Sequence, residues 1–317
     1  MHIVIATDSN PHYLKQCFIM LYSLLKYNQD SEITLHIFHT AETKEIFERK
    51  WEYLSHFVWV THVIVSYYEV SRKTIEEKWL QIYNKLPLTT YFRLLIPNLL
   101  DASISKCLYL DTDLIIRWSL QELFQRELSE SDWVVWVKTN ILTEYMKNID
   151  VNDYINAWVL LINLIERRRR KLSDQIIQFI NTYPNGLHNI QAIMGDQCGI
   201  NAVCSWHIHY IDPIRNCTPF RFNTPWLSEF QWSLWYDATV IEKTNNNPII
   251  LHFAGKHKPC DWISFNPRKL SYYRYCLESW LFTVTDLCKL LRHTISYPLC
   301  SNQPIYSLIR QLNTSKK

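Results

Sequence analysis

The stretch KCLYLDTDLII, residues 106–116, decides the fold because it has the pattern of a buried strand that carries charge near its end. Apolar residues flank two carboxylates, Asp111 and Asp113. Burying a carboxylate without a partner is strongly unfavourable. We therefore expect both side chains to lie where a strand ends, facing water, a cation or a hydrogen-bond network.

The spacing of these two carboxylates suits a metal ion. Residues two apart on a strand point to the same side, so Asp111 and Asp113 can both address one cation. Magnesium and manganese prefer oxygen ligands and commonly bind phosphate oxygens as well. The pattern therefore predicts a metal site beside a phosphate group.

Glycine usage excludes two common nucleotide sites. Only four glycines occur, at positions 186, 195, 199 and 255, so none lies in the first 185 residues. A P-loop or a dinucleotide-binding fingerprint needs several glycines directly after an early strand. A bound nucleotide would need another way to neutralise its phosphates, and a metal ion is the obvious candidate.

Strands and helices alternate along the first 165 residues. Such alternation predicts an α/β fold with a mostly parallel central sheet flanked by helices. Ligands of such sheets bind outside the carboxyl ends of the strands, where Asp8 and the Asp111/Asp113 pair are expected. The predicted strands cover 2–8, 33–40, 57–65, 106–113, 132–139 and 154–164, and the predicted helices cover 11–28, 42–55, 71–84 and 89–100.

The remaining composition excludes several other classes of protein. Nine scattered cysteines without a C-x-x-C pair indicate neither a zinc knuckle nor a disulfide framework. A net charge of +3 does not indicate a nucleic-acid partner. No apolar run approaches the roughly 18 residues that span a bilayer, and the N-terminus lacks a secretory signal pattern. These features favour a cytoplasmic protein. The basic run ERRRRKL, residues 166–172, is expected to form a solvated helix face.

A second stretch, PIILHFAGKHKP at residues 248–259, adds an imidazole and a lysine. His252 ends a predicted strand, Gly255 allows a backbone to approach an anion, and a lysine in this turn can neutralise phosphate. Together with Asp111 and Asp113, these residues predict a site for a metal-bound diphosphate. No nucleophile elbow occurs, which argues against a Ser-His-Asp hydrolase.

Six blocks of sequence resemble the family 8 glycosyltransferases, a retaining group that includes bacterial lipopolysaccharide galactosyl- and glucosyltransferases and the glycogenins. The resemblance follows the family order over roughly the first 265 residues, and six blocks together are far more specific than one motif. It implies a GT-A type nucleotide-diphospho-sugar transferase fold. The blocks are IVIATDSN (3–10), TTYFRL (89–94), YLDTDLII (109–116), NAWVLLIN (156–163), GDQCGIN (195–201) and HFAGKHKP (252–259).

The resemblance also implies roles for individual residues. It assigns the uracil and ribose of a UDP-sugar to Ala6, Asp8 and Asn10, and the metal to Asp111, Asp113 and His252. It assigns the diphosphate to Gly255 and Lys258, and the donor sugar to Arg93 and Asn156. The catalytic centre at that sugar is assigned to Asp196 and Gln197.

Three of these residues also have purely structural interpretations. Arg93 could pair with a carboxylate, Asn156 could be a strand-edge residue, and Asp196 could cap the short helix that follows it. The chain departs from the family pattern at Trp158, where the family usually has glycine, and at Cys260, where an aromatic residue is common.

The implied function is a retaining, metal-dependent hexosyltransferase. It would move glucose or galactose from UDP-glucose or UDP-galactose to a saccharide or glycolipid, such as a lipopolysaccharide core. The metal would be manganese, with magnesium as the alternative. Two rivals are a metal-dependent nucleotidyl or phosphoryl transferase, which needs another acidic ligand, and a non-catalytic nucleotide-sugar binder in which Trp158 fills the sugar site.

The chain divides into a predicted catalytic domain, residues 1–268, and a helical, basic extension, residues 269–317. Residues 271–317 carry six basic residues against two acidic ones. A helix predicted over 271–293 presents apolar residues at helical spacing, which suits binding to an anionic membrane surface. We therefore expect a cytoplasmic enzyme that is peripheral on the inner face of the membrane. The alternative is that this helix packs on the catalytic domain itself.

Overall fold

The computed structural model describes residues 1–58, 62–78, 87–138, 149, 151, 153–182, 195–215, 217, 236–254, 258–261 and 268–291. Gly255 lies outside the described residues, as do residues 292–317 of the predicted extension.

A seven-stranded sheet forms the centre of the molecule, and a separate two-stranded sheet lies beside it. The strand order of the large sheet is β3-β2-β1-β4-β7-β6-β8, and β5 pairs with β9. The strands are β1 His2–Thr7, β2 Ile33–His39, β3 Val63–Glu69, β4 Lys106–Leu110, β5 Leu114–Ile116, β6 Val134–Trp136, β7 Val159–Asn163, β8 Ile208–Tyr210 and β9 Ile250–His252.

The pairing within the large sheet is mostly parallel. β3, β2, β1 and β4 run in one direction, β7 is antiparallel to both β4 and β6, and β6 is parallel to β8. The predicted mostly parallel central sheet is therefore confirmed. Because β2 and β3 extend the sheet on one side of β1 and β4 on the other, the topological switch point lies between β1 and β4.

Helices cover the sheet because its central strands are apolar on both faces. Ile3, Val4 and Ile5 of β1 are all fully buried, as expected for a strand that is covered on both sides. The helices are α1 Pro11–Lys26, α2 Lys44–Phe57, α3 Arg72–Glu76, α4 Phe92–Leu99, α5 Gln121–Gln125, α6 Leu164–Arg169, α7 Leu172–Thr182, α8 Gly195–Cys204, α9 Ala238–Asn246 and α10 Lys269–Glu278.

Helix α8 approaches α7 closely at a glycine. A Cβ atom on Gly199 would lie 2.9 Å from Cγ2 of Ile176 and 3.0 Å from Cγ1 of Ile180. Hydrogen at this position therefore allows the two helices to pack together, and this packing places the first turn of α8 at the sheet.

The helix predicted over 71–84 ends already at Glu76, and three further predictions about local structure are wrong. The strand predicted over 57–65 begins only at Val63 and continues to Glu69, because α2 extends to Phe57.

The basic run does not form a wholly solvated face. Arg167 is only 1% exposed, and the guanidinium of Arg168 donates hydrogen bonds to the carbonyls of residues 97, 100, 101, 102 and 104.

The third error concerns the helix predicted over 271–293. Helix α10 ends at Glu278, Trp280 has a φ of 58°, and residues 284–291 form a separate helical segment. Leu281 N donates to Cys276 O at 3.1 Å, a pattern typical of a helix that ends in a left-handed residue. The second segment begins at Thr283, whose Oγ1 accepts from Asp286 N while Asp286 Oδ2 accepts from Thr283 N. Such reciprocal capping starts a new helix.

Residues of α10 share a core with residues of the predicted catalytic domain. Tyr272, Tyr273, Tyr275 and Cys276 are buried in one cluster with Ile19, Ile115, Leu251 and Phe253. The division of the chain at residue 268 stays a prediction.

Candidate active site

The edge of the sheet at the switch point carries the predicted site. Asp8 follows β1 and Asp111 follows β4, and these two strands are parallel neighbours with Ile5 opposite Leu110. Their carboxyl ends therefore lie side by side. Asp111 N donates to Trp158 O at 2.9 Å, which also brings the start of β7 to this edge.

The small sheet brings His252 to Asp113. β5 and β9 are antiparallel with Leu114 opposite His252, and Phe253 N donates to Asp113 O at 3.0 Å. As a result, Nε2 of His252 lies 3.5 Å from Oδ1 of Asp113. The His252 side chain is fully buried.

Lys258 completes this side of the site. Its ammonium forms an ion pair with Oδ2 of Asp113 and donates to Phe253 O at 3.0 Å. Burial alone would raise the pKa of Asp113, but Lys258 and His252 outweigh it and hold the pKa below its usual range. Asp113 is therefore ionised at neutral pH and compensates a cationic neighbour.

Arg93 organises the other side of the site. It is 3% exposed, its Nη2 lies 3.6 Å from Oδ1 of Asp111, and its Nε lies 3.0 Å from Oδ2 of Asp196. The guanidinium also lies over the Tyr109 ring, 4.8 Å from its centroid, and donates to Ala157 O. Arg93 therefore pairs with two carboxylates, and its assignment to the donor sugar stays a prediction.

The two aspartates of the D-x-D motif have opposite pKa shifts. Burial raises the pKa of Asp111, with Asp113 adding to the rise and Arg93 opposing it. Its Oδ1 accepts a hydrogen bond from the Tyr109 hydroxyl at 2.6 Å. Burial likewise raises the pKa of Asp196 against the effect of Arg93.

Helix α8 is tied to the segment before β7. Ala157 N donates to Oε1 of Gln197 at 2.9 Å, so one end of this amide is engaged by the backbone. Asn201, one turn later, accepts from Ile155 N at 2.7 Å and donates to Ile155 O at 2.9 Å. These bonds place Asp196 and Gln197 at the same edge as Arg93.

The residues assigned to the nucleoside and to the sugar have local roles as well. Ala6 is buried in β1. Asp8 Oδ1 accepts from Asn10 N at 3.0 Å, and Asn10 caps α1 by accepting from His12 N at 3.0 Å. Asn156, which is buried, accepts from Trp158 N at 2.8 Å. The ring of Trp158 lies edge-on to His252, with centroids 4.9 Å apart.

The donor set suits a hard divalent cation. Two carboxylates and one imidazole match the ligands of manganese or magnesium. Within the described residues, however, the ligand atoms of Asp111, Asp113 and His252 do not all lie within 4.8 Å of one another. Asp111 is directed towards Tyr109 and Arg93 instead, so a cation shared by all three would require its side chain to turn towards Asp113.

The family model described as Glycosyl transferase family 8 matches residues 2–263. The chain belongs to glycosyl transferase family 8. The matched range includes every residue assigned above, from Ala6 to Lys258. The expectation drawn from the six sequence blocks is therefore confirmed at the level of the family.

Curated relatives resemble this family 8 glycosyltransferase over most of their length. General stress protein A of Bacillus subtilis is 24% identical over 283 residues, which are 87% of this chain and 92% of the relative. The lipopolysaccharide 1,2-glucosyltransferase of Escherichia coli is 25% identical over 83% of this chain and 74% of its own. The lipopolysaccharide 1,3-galactosyltransferase of Salmonella typhimurium is 24% identical over 93% and 82%, respectively.

A solved structure shares the fold of this family 8 glycosyltransferase. The galactosyltransferase LgtC, crystallised with donor and acceptor sugar analogues, superposes with a TM-score of 0.69 at 22% identity. The match covers 90% of this chain and 97% of LgtC. This similarity confirms the predicted GT-A type fold.

Sequence reasoning missed two residues that build the site. Tyr109 precedes Asp111 by two positions, so strand alternation alone places both side chains on one face. Asn201 follows Gln197 by four positions, which places both on one face of a helix. In each case the signal was the spacing to a residue that had already been singled out.

Proposed function

We propose that this chain transfers glucose or galactose from a UDP-sugar to a saccharide or glycolipid acceptor, with retention of the α configuration and with manganese as the cofactor. The observation that carries the proposal is the β5–β9 pairing. It places His252 against Asp113, beside Lys258 and near the end of β4. The names of the lipopolysaccharide glucosyl- and galactosyltransferase relatives support the choice of sugar and acceptor.

In this proposal, Asp111, Asp113 and His252 hold the metal. When bound, manganese acts as a Lewis acid that stabilises the departing UDP. When the metal binds, Lys258 leaves Asp113 and pairs with an oxygen of the diphosphate. Otherwise Lys258 and the metal would compete for the carboxylate of Asp113. Gly255 lies outside the described residues and keeps its proposed role at the diphosphate.

The remaining assignments follow the geometry of the sheet edge. Ala6, Asp8 and Asn10, at the end of β1, address the uracil and ribose. Arg93 and Asn156 address the donor sugar. Arg93 neutralises Asp111 and Asp196 together and so fixes the positions of both carboxylates beside the sugar.

Retention is supported by the chemistry of Gln197. The side-chain amide is a poor nucleophile and cannot serve as the general base that inversion needs. Its carbonyl already accepts from Ala157 N, and the neighbouring carboxylate of Asp196 is paired with Arg93. A front-face substitution, in which the acceptor attacks on the side that UDP leaves, fits this environment.

The first experiment is to measure UDP release from a panel of UDP-sugars, with manganese, with magnesium and with chelator. Metal-dependent release from UDP-glucose or UDP-galactose supports the proposal. Release of pyrophosphate or nucleoside monophosphate would instead favour the nucleotidyl or phosphoryl transferase. Tight binding of a UDP-sugar without turnover would favour a binder in which Trp158, seated on His252, fills the sugar site. The anomeric coupling constant of the product, measured by NMR, then tests retention.

We further propose that the C-terminal region docks the enzyme on an anionic membrane surface, on the inner face of the membrane. An apolar surface formed by Leu277, Trp280, Val284, Leu287 and Leu291 is exposed, and Val284 is 79% exposed. The opposite side of this segment packs on α1, where buried Asp286 pairs with Lys15. The alternative, in which this segment packs on the catalytic domain, therefore explains one side of the segment. It does not explain the apolar surface, which stays exposed to solvent.

Two further observations support the membrane proposal. Trp280 occupies a left-handed conformation that favours glycine, so this bulky side chain is kept at a backbone position that it does not suit. Beside it lies a groove of about 580 Å³, whose mostly apolar and aromatic lining, which includes Trp280 and Phe282, also carries the basic residues Arg49 and Lys50. Such a groove matches an anionic headgroup. Among the described residues, no helix is both long enough and apolar enough to cross a bilayer.

Vesicle sedimentation at low salt tests the docking. Full-length protein should sediment with vesicles that contain anionic lipid, and a variant lacking residues 294–317 should be released while it keeps activity on a soluble sugar acceptor. Trp280→Gly should also weaken sedimentation without loss of thermal stability, because glycine suits the left-handed backbone. If the full-length protein stays in the supernatant, the docking proposal fails.

A further inference from the structure

A second group of ligand-type side chains lies outside the proposed donor site. His12 is in the first turn of α1, and Cys260 and Asp261 follow Lys258 in a tight turn. Their ligand atoms all lie within 4.8 Å of one another. Sequence spacing gave no indication of this group, because 248 residues separate His12 from Cys260.

The distances within this group match a tetrahedral metal site. Cys260 Sγ lies 3.4 Å from His12 Nε2, and that nitrogen lies 3.7 Å from Asp261 Oδ1. Zinc bonds of about 2.3 Å to sulfur and about 2.0–2.2 Å to nitrogen and oxygen separate tetrahedral ligands by roughly 3.3–3.6 Å. The two distances from His12 Nε2 therefore lie close to the values that one shared ion requires, and the ligand atoms of Cys260 and Asp261 lie within 4.8 Å of each other.

Neighbouring groups hold the ligands in the orientation that such an ion requires. Gln16, one turn after His12 on α1, donates its side-chain N–H to Cys260 Sγ at 3.2 Å, which stabilises negative charge on sulfur. Lys258 N donates to Asp261 Oδ2 at 2.7 Å, so Oδ1 is left to face His12. Partners of this kind orient metal ligands and tune their affinity.

Burial and charge are compatible with an ion at this position. Cys260 is buried, whereas His12 and Asp261 are partly exposed, so an ion and one water molecule can reach the group from solvent. Three cations lie nearby: Lys258, which is paired with Asp113, Lys15, which is paired with Asp286, and Lys289. A thiolate and a carboxylate together neutralise a divalent ion.

The protonation states set the condition for binding. Burial lowers the pKa of His12, and the carboxylate of Asp261 opposes this shift. Three neighbouring cations, Lys289, Lys258 and Lys15, lower the pKa further. The imidazole is therefore neutral at neutral pH and able to bind a metal. Burial raises the pKa of the Cys260 thiol. A metal must therefore displace the thiol proton, and each ion bound should release about one proton to the buffer.

We propose that His12, Cys260 and Asp261 form a second metal site, selective for a zinc-class ion, with water as the fourth ligand. The site joins the turn that carries Lys258 to the start of α1. The two sites select different ions because thiolate and imidazole ligands favour zinc, whereas the oxygen-rich set of Asp111, Asp113 and His252 favours manganese or magnesium.

Cobalt(II) is the probe that distinguishes the two sites, because a sulfur-to-cobalt charge-transfer band requires a thiolate ligand. Full-length protein should bind one equivalent of cobalt with this band and with the visible bands of a tetrahedral ion. Zinc should abolish the bands, and an equal concentration of manganese should not. Cys260→Ser should remove the charge-transfer band.

Two control variants and one positioning variant complete the test. Cys288→Ser changes an exposed cysteine, and Asp113→Asn changes the other site, so both should keep the band. Gln16→Ala keeps all three ligands and should weaken cobalt binding by about tenfold. Circular dichroism of each variant reports whether it folds. The proposal is overturned if the wild-type protein shows no charge-transfer band, or if Cys260→Ser keeps it at full intensity.

Discussion

Two clusters of charge share one edge of the sheet, and they are built in different ways. The Arg93 cluster, consisting of Arg93, Tyr109, Asp111 and Asp196, lies on the large sheet and its helices. The Lys258 cluster, consisting of Asp113, His252 and Lys258, lies on the small β5–β9 sheet and the turn after it. The ion pair of Arg93 with Asp196 is 3% and 2% exposed, and that of Lys258 with Asp113 is 14% and 11% exposed; Asp111, which also belongs to the Arg93 cluster, is 24% exposed.

This difference indicates separate tasks. In the Arg93 cluster, one guanidinium contacts two carboxylates, an aromatic ring and two backbone carbonyls. Its charge therefore stabilises the fold. In the Lys258 cluster, the ion pair lies closer to solvent and can be exchanged for a cation and a phosphate. Removing the charge of Arg93 should affect stability most, and removing a charge from the Lys258 cluster should affect turnover most.

The largest effect is expected from Arg93→Met. The change leaves the buried carboxylate of Asp196 and the partly exposed carboxylate of Asp111 without their cation, and breaking a buried ion pair in this way typically lowers the free energy of unfolding by about 3–5 kcal/mol. Urea denaturation measures it. Arg72→Met is the matched control, because the Arg72 side chain is 55% exposed, and its loss should change stability by at most about 0.5 kcal/mol. Equal effects of the two variants would contradict the comparison.

The next effect concerns turnover. Asp113→Asn and His252→Ala should each lower the rate of UDP release by about a hundredfold or more, about 2.7 kcal/mol in the barrier, because each removes a proposed ligand of the metal that would stabilise the leaving group. Asp111→Asn should act in the same direction. His252→Ala should in addition weaken manganese binding, which isothermal titration calorimetry measures. Wild-type rates of all three folded variants in the presence of chelator would refute the metal assignment.

A smaller effect should separate attachment of α8 from metal binding. Asn201→Ala removes two hydrogen bonds to Ile155 and leaves buried backbone groups without partners, so the free energy of unfolding should fall by about 1–3 kcal/mol. Manganese affinity should not change, because the hydrogen bonds of Asn201 go to the backbone of Ile155 and Gln197 and to none of the three proposed metal ligands. A loss of manganese affinity as large as the loss for His252→Ala would show that the two clusters are not separable.

The smallest expected effect is a change in melting temperature, which should have opposite signs for substitutions of Asp111 and Asp113. The lowered pKa of Asp113 means that its charge stabilises the folded state at neutral pH, and this contribution is lost as the pH falls through the folded pKa. The raised pKa of Asp111 means that its charge destabilises the folded state at pH values above that pKa. In chelator at pH 7, Asp113→Asn should therefore lower the melting temperature and Asp111→Asn should raise it. Shifts of the same sign would show that the two carboxylates share one environment.

Much of this architecture is local and was predictable. The alternation of apolar runs and amphipathic segments gives the strands β1, β2 and β4 and the helices around them, because burial requires a repeat of about two residues in a strand and 3.6 in a helix. The end of α10 was harder to predict. Its stop signal is a left-handed Trp280 instead of glycine, and the next helix starts at the capping pair Thr283 and Asp286.

The basic run at residues 166–172 shows why charge pattern alone was insufficient. Arg169 and Arg170 do pair with Glu166 near the surface. Arg168, in contrast, is directed to the carbonyls around the end of α4. Which arginine of a run faces inward depends on the neighbouring element, and a sequence window contains no information on that element.

The sequence by itself determined the chemistry that is available at the sheet edge, namely Asp8 after one strand, the carboxylate pair after another, and an imidazole and a lysine near residue 255. Only the tertiary structure decided which of them meet. The antiparallel register of β5 and β9 places His252 against Asp113, α4 inserts Arg93 between Asp111 and Asp196, and the turn after Lys258 brings Cys260 and Asp261 to His12. These contacts join residues that are far apart in the chain, so they depend on register and helix packing, which no local pattern specifies.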